Sequence, residues 1–184
     1  MASAFSHILL AFALGQAQPW KRWPIRFWGL SFLCTLVPDV DVVGFAVGIP
    51  YEHVLGHRGL THSLAFAFVM GLLVVYFGFP SVNPGSLVWW SLVTHSFLVT
   101  TSHGVLDAMT DGGLGIAFFA PFDNSRYFFP WTPVKVSPIG ITGFFSAYGV
   151  EVLASELVWI GTPVGVGLMG LTLFRLRVKN KPFS

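Results

Sequence analysis

Long apolar stretches constrain this chain more than any other feature of its sequence. Three of them have the length of about 20 residues that an α-helix needs to cross the hydrocarbon core of a bilayer. They run from Gly59 to Phe79, from Ser86 to Leu106 and from Leu157 to Leu176. A fourth, Phe27 to Ile49, has the right length but contains two aspartates, and a fifth, Ala4 to Leu14, is short. We therefore expect an all-α, polytopic membrane protein with about four spanning helices and a short N-terminal helix.

The composition agrees with a chain surrounded by lipid. Hydrophobic residues make up 54% of the sequence and charged residues only 10%, whereas a soluble domain carries about 25% charged residues. The net charge of +2, without a basic stripe, argues against nucleic-acid binding. Cys34 is the only cysteine, which excludes a disulfide framework and a cysteine-based zinc site. One domain, residues 1–184, accounts for the whole chain.

Basic residues predict the orientation, because cytoplasmic loops are enriched in lysine and arginine. Seven lie after the first helix or in the tail: Lys21, Arg22, Arg26, Arg175, Arg177, Lys179 and Lys181. Three lie on the other face: Arg58, Arg126 and Lys135. We therefore expect a multi-pass inner-membrane protein whose tail is cytoplasmic and whose histidine-rich loop faces outward.

The segment from Met109 to about Thr142 is neither a clear spanning helix nor a polar loop. It contains AFFAPFDNSRYFFPWTPVKVSP, which combines many aromatic residues with four prolines. Aromatic residues concentrate where a membrane meets water. We therefore expect this segment to lie at the membrane interface, over the ends of the helices.

Two carboxylates interrupt the apolar stretch around CTLVPDVDVVGF. Asp39 and Asp41 are expensive to bury in a membrane, and such residues are usually functional. They must be protonated and hydrogen-bonded, or a positive charge must lie between them. Pro38 frees a backbone carbonyl beside them. The alternative without a metal is a polar pair that lines a water-filled cavity.

Histidines in the next two apolar stretches are candidate partners. HRGLTHS places His57 just before and His62 just inside one of them, and HGVLD places His103 and Asp107 four residues apart. Positions i and i+4 share one face of a helix, so this pair can bind one ion. His7 lies near the start of the first apolar stretch.

These residues form a set of nitrogen and oxygen ligands. Its members are His7, Asp39, Asp41, His62, His103 and Asp107. Imidazole with carboxylate suits Zn²⁺, with Mn²⁺ or Fe²⁺ as alternatives. Six ligands exceed the need of one zinc ion, so we expect a two-metal site that activates water.

Further residues receive catalytic or supporting roles. Asp41 is a candidate general base or a group that orients a histidine, and His57 is a catalytic candidate beside it. Arg58 and Arg126 could hold an anionic substrate, because guanidinium matches phosphate; the alternative for both is a headgroup or topology role. His95 is expected to pack between helices and His53 to be solvated.

The motifs together resemble a known family. An early SH, then PDVD, HRGLTHS, HGVLD, TDGGLGIAFFAPF and RYFFPW are similar to the YdjM-like inner-membrane proteins, which are described as predicted metal-dependent hydrolases. The likeness extends from His7 to about Pro138. It implies a membrane location, a divalent metal and hydrolase activity, without a defined substrate.

A more distant likeness is to zinc-dependent phospholipase C and related nucleases. Their ligands follow the order His, Asp, His and then His-x-x-x-Asp, which His7, Asp39, His62, His103 and Asp107 reproduce. A later His-x-x-x-Glu of that pattern falls on Ala147 and Glu151, so its histidine is missing and only Glu151 remains as a candidate.

Three functions remain open at this stage. The first is a membrane-bound hydrolase of a phosphoester, such as a phospholipid or a lipid-linked phosphate, with membrane lipids as its surroundings. The second is a transporter of metal ions or protons that uses the same His and Asp residues. The third is a polar cluster that only fixes helix packing. A serine hydrolase is disfavoured, because no GxSxG motif occurs.

Overall fold

The computed structural model describes residues 1–18 and 23–179. Its α-helices are α1 (Ala4–Ala17), α2 (Ile25–Leu36), α3 (Leu64–Gly78), α4 (Leu87–Ala108), the short α5 (Ile141–Phe144), α6 (Ala147–Glu156) and α7 (Thr162–Lys179). Two 3₁₀ segments, Val37–Val47 and Leu60–His62, follow α2 and precede α3, and a π-helical turn, Leu157–Gly161, joins α6 to α7. The described residues contain two isolated β-bridges and no strand, which confirms the all-α prediction.

Helix α4 lies at the centre of the bundle, and α1, α2 and α3 pack against it. Ser86 is the N-cap of α4 and Ser63 is the N-cap of α3, and each side chain accepts a hydrogen bond from a backbone N–H of the first turn. At Gly71 a Cβ atom would lie 3.1 Å from the carbonyl oxygen of Val93. Glycine therefore lets α3 approach the backbone of α4 closely, as small residues do in membrane bundles.

Two helices in the described part of the chain are long and apolar enough to cross a membrane. They are Ile25–Val47, which combines α2 with its 3₁₀ extension, and Ala147–Lys179. The prediction of four spans is not confirmed. Helix α3 has only 15 residues, because it begins at Leu64 and not at Gly59. Helix α4 has 22 residues, but its serines, threonines and histidines make it less apolar.

Basic residues gather at one end of the bundle. Arg26 donates a hydrogen bond to the carbonyl oxygen of Gly78, at the end of α3. Arg175 donates to the carbonyl oxygens of Gln16 and Gln18, at the end of α1. Because Gly15, near the end of α1, packs closely against Trp28 of α2, these helix ends lie on one side of the bundle, the side predicted to be cytoplasmic. Lys21, Arg22 and Lys181 lie outside the described residues.

The segment after α4 covers the opposite end of the bundle. Within this segment, backbone hydrogen bonds join Tyr127 to Ile116. A further backbone hydrogen bond joins Phe129 to Ala108, at the end of α4. Several of its aromatic side chains are exposed, including Phe122 at 89% and Trp131 at 58%. This exposure favours the predicted position at a membrane interface.

Candidate metal centre

The two aspartates of the PDVD motif lie where α2 becomes a 3₁₀ helix. The change occurs at Val37, directly before Pro38, whose ring cannot donate a backbone hydrogen bond. The side chain of Asp41 is 2% exposed and that of Asp39 is 16% exposed. Both carboxylates therefore lie inside the protein, and Asp39 retains contact with the surface.

The end of α4 and the short 3₁₀ segment before α3 supply the other members of the cluster. His103 and Asp107 lie on the same face of α4 and are fully buried. At Gly104 a Cβ atom would lie 3.2 Å from the carbonyl oxygen of His62, so glycine lets that backbone approach the helix. One ligand atom each from Asp39, His62, His103 and Asp107 lies within 4.8 Å of the others.

The separations within this set are compatible with binding of one metal ion. His103 Nε2 lies 3.2 Å from Asp39 Oδ1 and 3.9 Å from Asp107 Oδ2. His62 Nε2 lies 3.7 Å from Asp39 Oδ1 and 3.9 Å from Asp107 Oδ2. Tetrahedral ligands at zinc distances are separated by about 3.4 Å. Most of these contacts are too long for hydrogen bonds, and His62 Nε2 and Asp107 Oδ2 have no hydrogen-bond partner.

The two histidines turn the correct nitrogen toward the carboxylates. His103 Nδ1 donates to the carbonyl oxygen of Thr35 at 2.7 Å, since a carbonyl can only accept. His62 Nδ1 lies 3.0 Å from the oxygen of Thr61, whose own hydroxyl hydrogen goes to Asp41, so Nδ1 carries a proton and donates to Thr61; Asp41 Oδ2 lies 3.2 Å from the same nitrogen. In neutral imidazoles both Nε2 atoms then carry a lone pair that faces Asp39. Histidine ligands of metals are normally oriented in this way.

Asp41 lies at the centre of a hydrogen-bond network. Its carboxylate accepts hydrogen bonds from His57 Nδ1 at 2.7 Å, from the backbone N–H of Arg58 at 3.1 Å and from the hydroxyl of Thr61. Together with His57 and His62 it forms a second group that could hold an ion. Hydrogen bonds already join these atoms, however. The arrangement therefore favours Asp41 as the residue that orients His62 and not as a ligand.

Arg58 brings a positive charge against the cluster. Its backbone φ of 63° lies in the left-handed region, which is uncommon for a non-glycine residue. The two terminal nitrogens donate to the carbonyl oxygens of Gly112 and Leu114 and to the hydroxyl of Thr110. Nε lies 3.4 Å from Asp107 Oδ2 and has no hydrogen-bond partner. The guanidinium is thus fixed, with one N–H facing the cluster.

His7 lies at the edge of the cluster. Its ring stacks on that of His103, with 3.8 Å between centroids and 12° between planes. Its Nε2 lies 3.4 Å from Asp107 Oδ1, which also accepts the backbone N–H of Ala2 at 2.6 Å. Both ring nitrogens of His7 lack a hydrogen-bond partner. His7 therefore remains a candidate ligand, outside the compact set of four.

Two further candidates are occupied elsewhere. Arg126 donates to the carbonyl oxygens of His57 and Tyr51 and lies over the Tyr51 ring, so it holds the loop around these residues together and does not offer a free guanidinium. Glu151 is half exposed and forms an ion pair with Lys135. It does not join the buried cluster, which corrects the suggestion that it is a ligand.

The remaining histidines behave as the sequence predicted. His95 is buried between helices, with Nε2 2.8 Å from the hydroxyl of Ser31 and Nδ1 3.4 Å from the amide of Gln18. His53 is exposed, and its ring accepts the backbone N–H of Leu55. Neither belongs to a described group that could hold a metal ion.

A buried carboxylate that sequence reasoning assigned no role supports α1. Glu156, at the end of α6, accepts hydrogen bonds from the backbone N–H and the hydroxyl of Ser3 and from the hydroxyl of Ser6. It lies at the positive end of the α1 dipole. This contact fixes the helix turn that carries His7. Its only sequence signal is a glutamate inside an apolar stretch.

The cluster carries an excess of negative charge. Three carboxylates, on Asp39, Asp41 and Asp107, face one guanidinium, on Arg58, which leaves a formal charge of −2 on these side chains with neutral imidazoles. Burial disfavours a charged His62, yet hydrogen bonds and the charges of the aspartates raise its pKa to about 9. The carboxylates thus draw a positive charge to this imidazole, and a metal ion there would take the place of its proton. The residues present therefore fit a divalent cation.

Comparisons with known proteins agree with this description. The family model of the YdjM inner membrane protein matches residues 1–178. The inner membrane protein YbcI of Escherichia coli (strain K12) is 37% identical over 177 residues, which cover 96% of this chain and 100% of that protein. No solved structure matches.

Proposed function

Because the chain belongs to the YdjM inner membrane protein family, we propose that it is a membrane-bound, metal-dependent hydrolase of phosphoesters. The substrate class is a phospholipid or a lipid-linked phosphate. The observation that carries the proposal is the convergence of Asp39, His62, His103 and Asp107 on one point, with ligand atoms within 4.8 Å of one another. Two of these atoms lack any hydrogen-bond partner.

Zinc is the proposed ion. Two imidazoles and two carboxylates are ligands that zinc, manganese and iron all accept, and zinc is the usual choice for three or four such groups in a catalytic site. The charge of −2 on the cluster is neutralised by one divalent ion. This geometry favours one ion at the set of four over the two-metal site that the ligand count predicted. A second ion would need His7 as an additional ligand.

The surrounding side chains have distinct roles in this proposal. A divalent ion supplies Lewis-acid polarisation of the phosphoryl group and lowers the pKa of water. His57 donates Nδ1–H to Asp41, which leaves its Nε2 able to accept a proton. Arg58 is held in place by its terminal nitrogens, and its Nε–H can donate to an anionic group beside Asp107. Asp41 keeps both histidines oriented.

The site is proposed to face the outer side of the inner membrane. It lies at the end of the bundle opposite Arg26 and Arg175, and positive residues favour the cytoplasm. Helices α3 and α4 are proposed to lie in the bilayer beside the two longer helices. Most of the polar side chains of α4 are buried in the bundle, so they do not meet lipid.

Labelling of cysteine variants tests this orientation. Asp123 and Arg26 are exposed at opposite ends, and Cys34 is buried. A membrane-impermeant maleimide is added to cells whose outer membrane has been permeabilised. It should label Asp123→Cys at once, and it should label Arg26→Cys only after the inner membrane is disrupted. The reverse pattern would place the site in the cytoplasm.

Release of phosphate tests the activity itself. The purified protein in vesicles that contain phosphatidic acid should release phosphate, lose this activity with a chelator and regain it with zinc. His62→Ala and Asp107→Ala should lower the rate at least about 100-fold, because each removes a ligand. The control is His95→Ala, which changes a buried histidine on α4, the helix of Asp107, but outside the cluster. It should keep its activity. Full activity in His62→Ala or Asp107→Ala would refute the proposal.

A further inference from the structure

An open apolar cleft of about 430 Å³ lies beside the polar cluster, between the 3₁₀ segment Val37–Val47 and the start of α3. Its volume is within the range of about 300–1,000 Å³ that is usual for ligand sites. The lining is mostly aliphatic or aromatic and includes Val40, Val47, Ile49, Leu55 and Phe66. Such a surface binds hydrocarbon and offers little to a water-soluble molecule.

The cleft is continuous with the membrane-facing surface. One of its walls belongs to the candidate span Ile25–Val47. Val40 is 61% exposed and Val47 is 72% exposed on this wall. Because the protein lies in the inner membrane, side chains exposed on this span meet lipid. A hydrocarbon chain can therefore enter the cleft from the bilayer without crossing water.

The same cleft reaches the residues that hold the cluster together. Its polar lining residues are Asp41 and Thr61, which hydrogen-bond to each other. Asp41 also lies 3.2 Å from His62 Nδ1. Asp39, two residues before it, is the one carboxylate of the set of four that is exposed at the surface, by 16%. A chain in the cleft would place its attached headgroup beside Asp41 and Thr61, which line the cleft and contact His62.

We propose that this cleft is the hydrocarbon-chain subsite of the metal centre. The inference rests on the proposed function and makes it more specific: the substrate is a long-chain membrane lipid with an anionic phosphate headgroup. The chain occupies the cleft, and the phosphate faces the cation and the Nε–H of Arg58. The apolar cleft would thus hold the hydrocarbon chain of the lipid, and the charged cluster would hold its phosphate headgroup.

Gly44 offers a way to close the cleft without touching the cluster. It lines the cleft, and a Cβ atom there would lie 3.4 Å from Ile49 Cβ. A methyl group fits, whereas a larger side chain must extend into the cleft. Gly29 is a matched control, because it lies in the same span and a Cβ atom there meets nothing within 4 Å. Phenylalanine at either position adds the same apolar volume.

The experiment compares Gly44→Phe, the smaller Gly44→Leu and Gly29→Phe with the unchanged protein. Phosphate release is measured from long-chain phosphatidic acid and from p-nitrophenyl phosphate, and bound metal is measured in each protein. We compare the ratio of the rate with long-chain phosphatidic acid to the rate with p-nitrophenyl phosphate. This ratio should fall at least about tenfold in Gly44→Phe, by less in Gly44→Leu, and it should stay unchanged in Gly29→Phe. An unchanged ratio in both Gly44 variants would overturn the subsite.

Lipid binding separates failure of the subsite from failure of the proposed function. Native mass spectrometry counts phosphatidic acid retained by each detergent-purified protein after treatment with a chelator, so that hydrolysis does not consume the lipid. Gly44→Phe should retain less than Gly29→Phe, and equal retention would overturn the inference. If the unchanged protein hydrolyses neither compound while Gly44→Phe still loses lipid, the cleft stands as a lipid site and the hydrolase proposal fails.

Discussion

Two histidines on α4 show how differently the same side chain can be used within one helix. His95 and His103 are eight residues apart, about 12 Å along the axis, and both are buried. His95 has a serine hydroxyl and a glutamine amide as partners and stacks on Phe27. His103 has a backbone carbonyl on one nitrogen, and its other nitrogen faces the carboxylate of Asp39 at 3.2 Å.

The difference lies in what balances the charge. The neighbours of His95 are neutral, and their hydrogen bonds are complete within the bundle. The neighbours of His103 include buried carboxylates that outnumber the positive groups, and some of their atoms have no partner. An apolar environment makes such an excess of charge costly unless a cation compensates it. Burial alone is therefore a poor reason to propose a metal ligand; an excess of negative charge beside a histidine is a better one.

The largest effect is expected from removing one histidine of this pair. His103→Ala should weaken zinc binding at least about 100-fold, because it removes one of the four proposed ligands and the nitrogen that lies nearest to Asp39. His95→Ala should change zinc affinity by less than about threefold, since it lies about 12 Å away. Competition with a fluorescent chelator measures both constants. Equal losses in the two variants would remove the distinction between the sites.

A smaller effect on the same constant is expected from Asp41→Asn. The amide keeps the size of the side chain but no longer accepts all the hydrogen bonds from His57, Thr61 and the backbone of Arg58. His62 is then less firmly oriented, and zinc affinity should fall about 10–100-fold. A loss as large as that of His103→Ala would show that Asp41 is a direct ligand.

Ser31→Ala should affect stability and leave metal binding unchanged. It removes the hydroxyl that lies 2.8 Å from His95 Nε2 and leaves that nitrogen without its partner. Hydrogen bonds between membrane helices contribute about 0.6 to 1.7 kcal/mol, so the free energy of unfolding should fall by about 1 kcal/mol. Unfolding in a detergent series measures this change. A loss of bound zinc in this variant would show that the surroundings of His95 influence metal binding at His103, contrary to this expectation.

The smallest effect is expected at an exposed carboxylate. Glu151→Gln breaks the ion pair with Lys135, which lies in water at the surface. Neither zinc affinity nor thermal stability should change measurably. A clear loss of zinc in this variant would restore Glu151 as a ligand, as the phospholipase-like order of residues suggested.

The sequence indicated the members of the cluster better than their roles. PDVD, HRGLTHS and HGVLD each place ionisable residues within or at the ends of apolar stretches, where they are conspicuous because charge is so scarce. The division of work between Asp39 and Asp41 depends on the 3₁₀ segment and on the loop that brings His57 to it. No local pattern determines that contact between distant parts of the chain.

Some features of the fold were beyond the reach of local patterns as well. The left-handed backbone of Arg58 places its N–H on Asp41, and the contact of Glu156 with Ser3 joins opposite parts of the chain. Two of the four expected spans meet the length and apolarity that a membrane crossing needs, and hydropathy alone does not show that α3 starts only after its N-cap Ser63. Tertiary contacts decide these features.

X-ray absorption at the zinc edge of the purified protein tests the central claim most directly. The account predicts one zinc ion bound by two imidazole nitrogens and by carboxylate oxygens at about 2.0–2.2 Å. His103→Ala, loaded with excess zinc, should show one imidazole fewer, and His95→Ala should give an unchanged spectrum. An absence of bound metal after reconstitution, or the same two-imidazole spectrum in His103→Ala, would contradict the account.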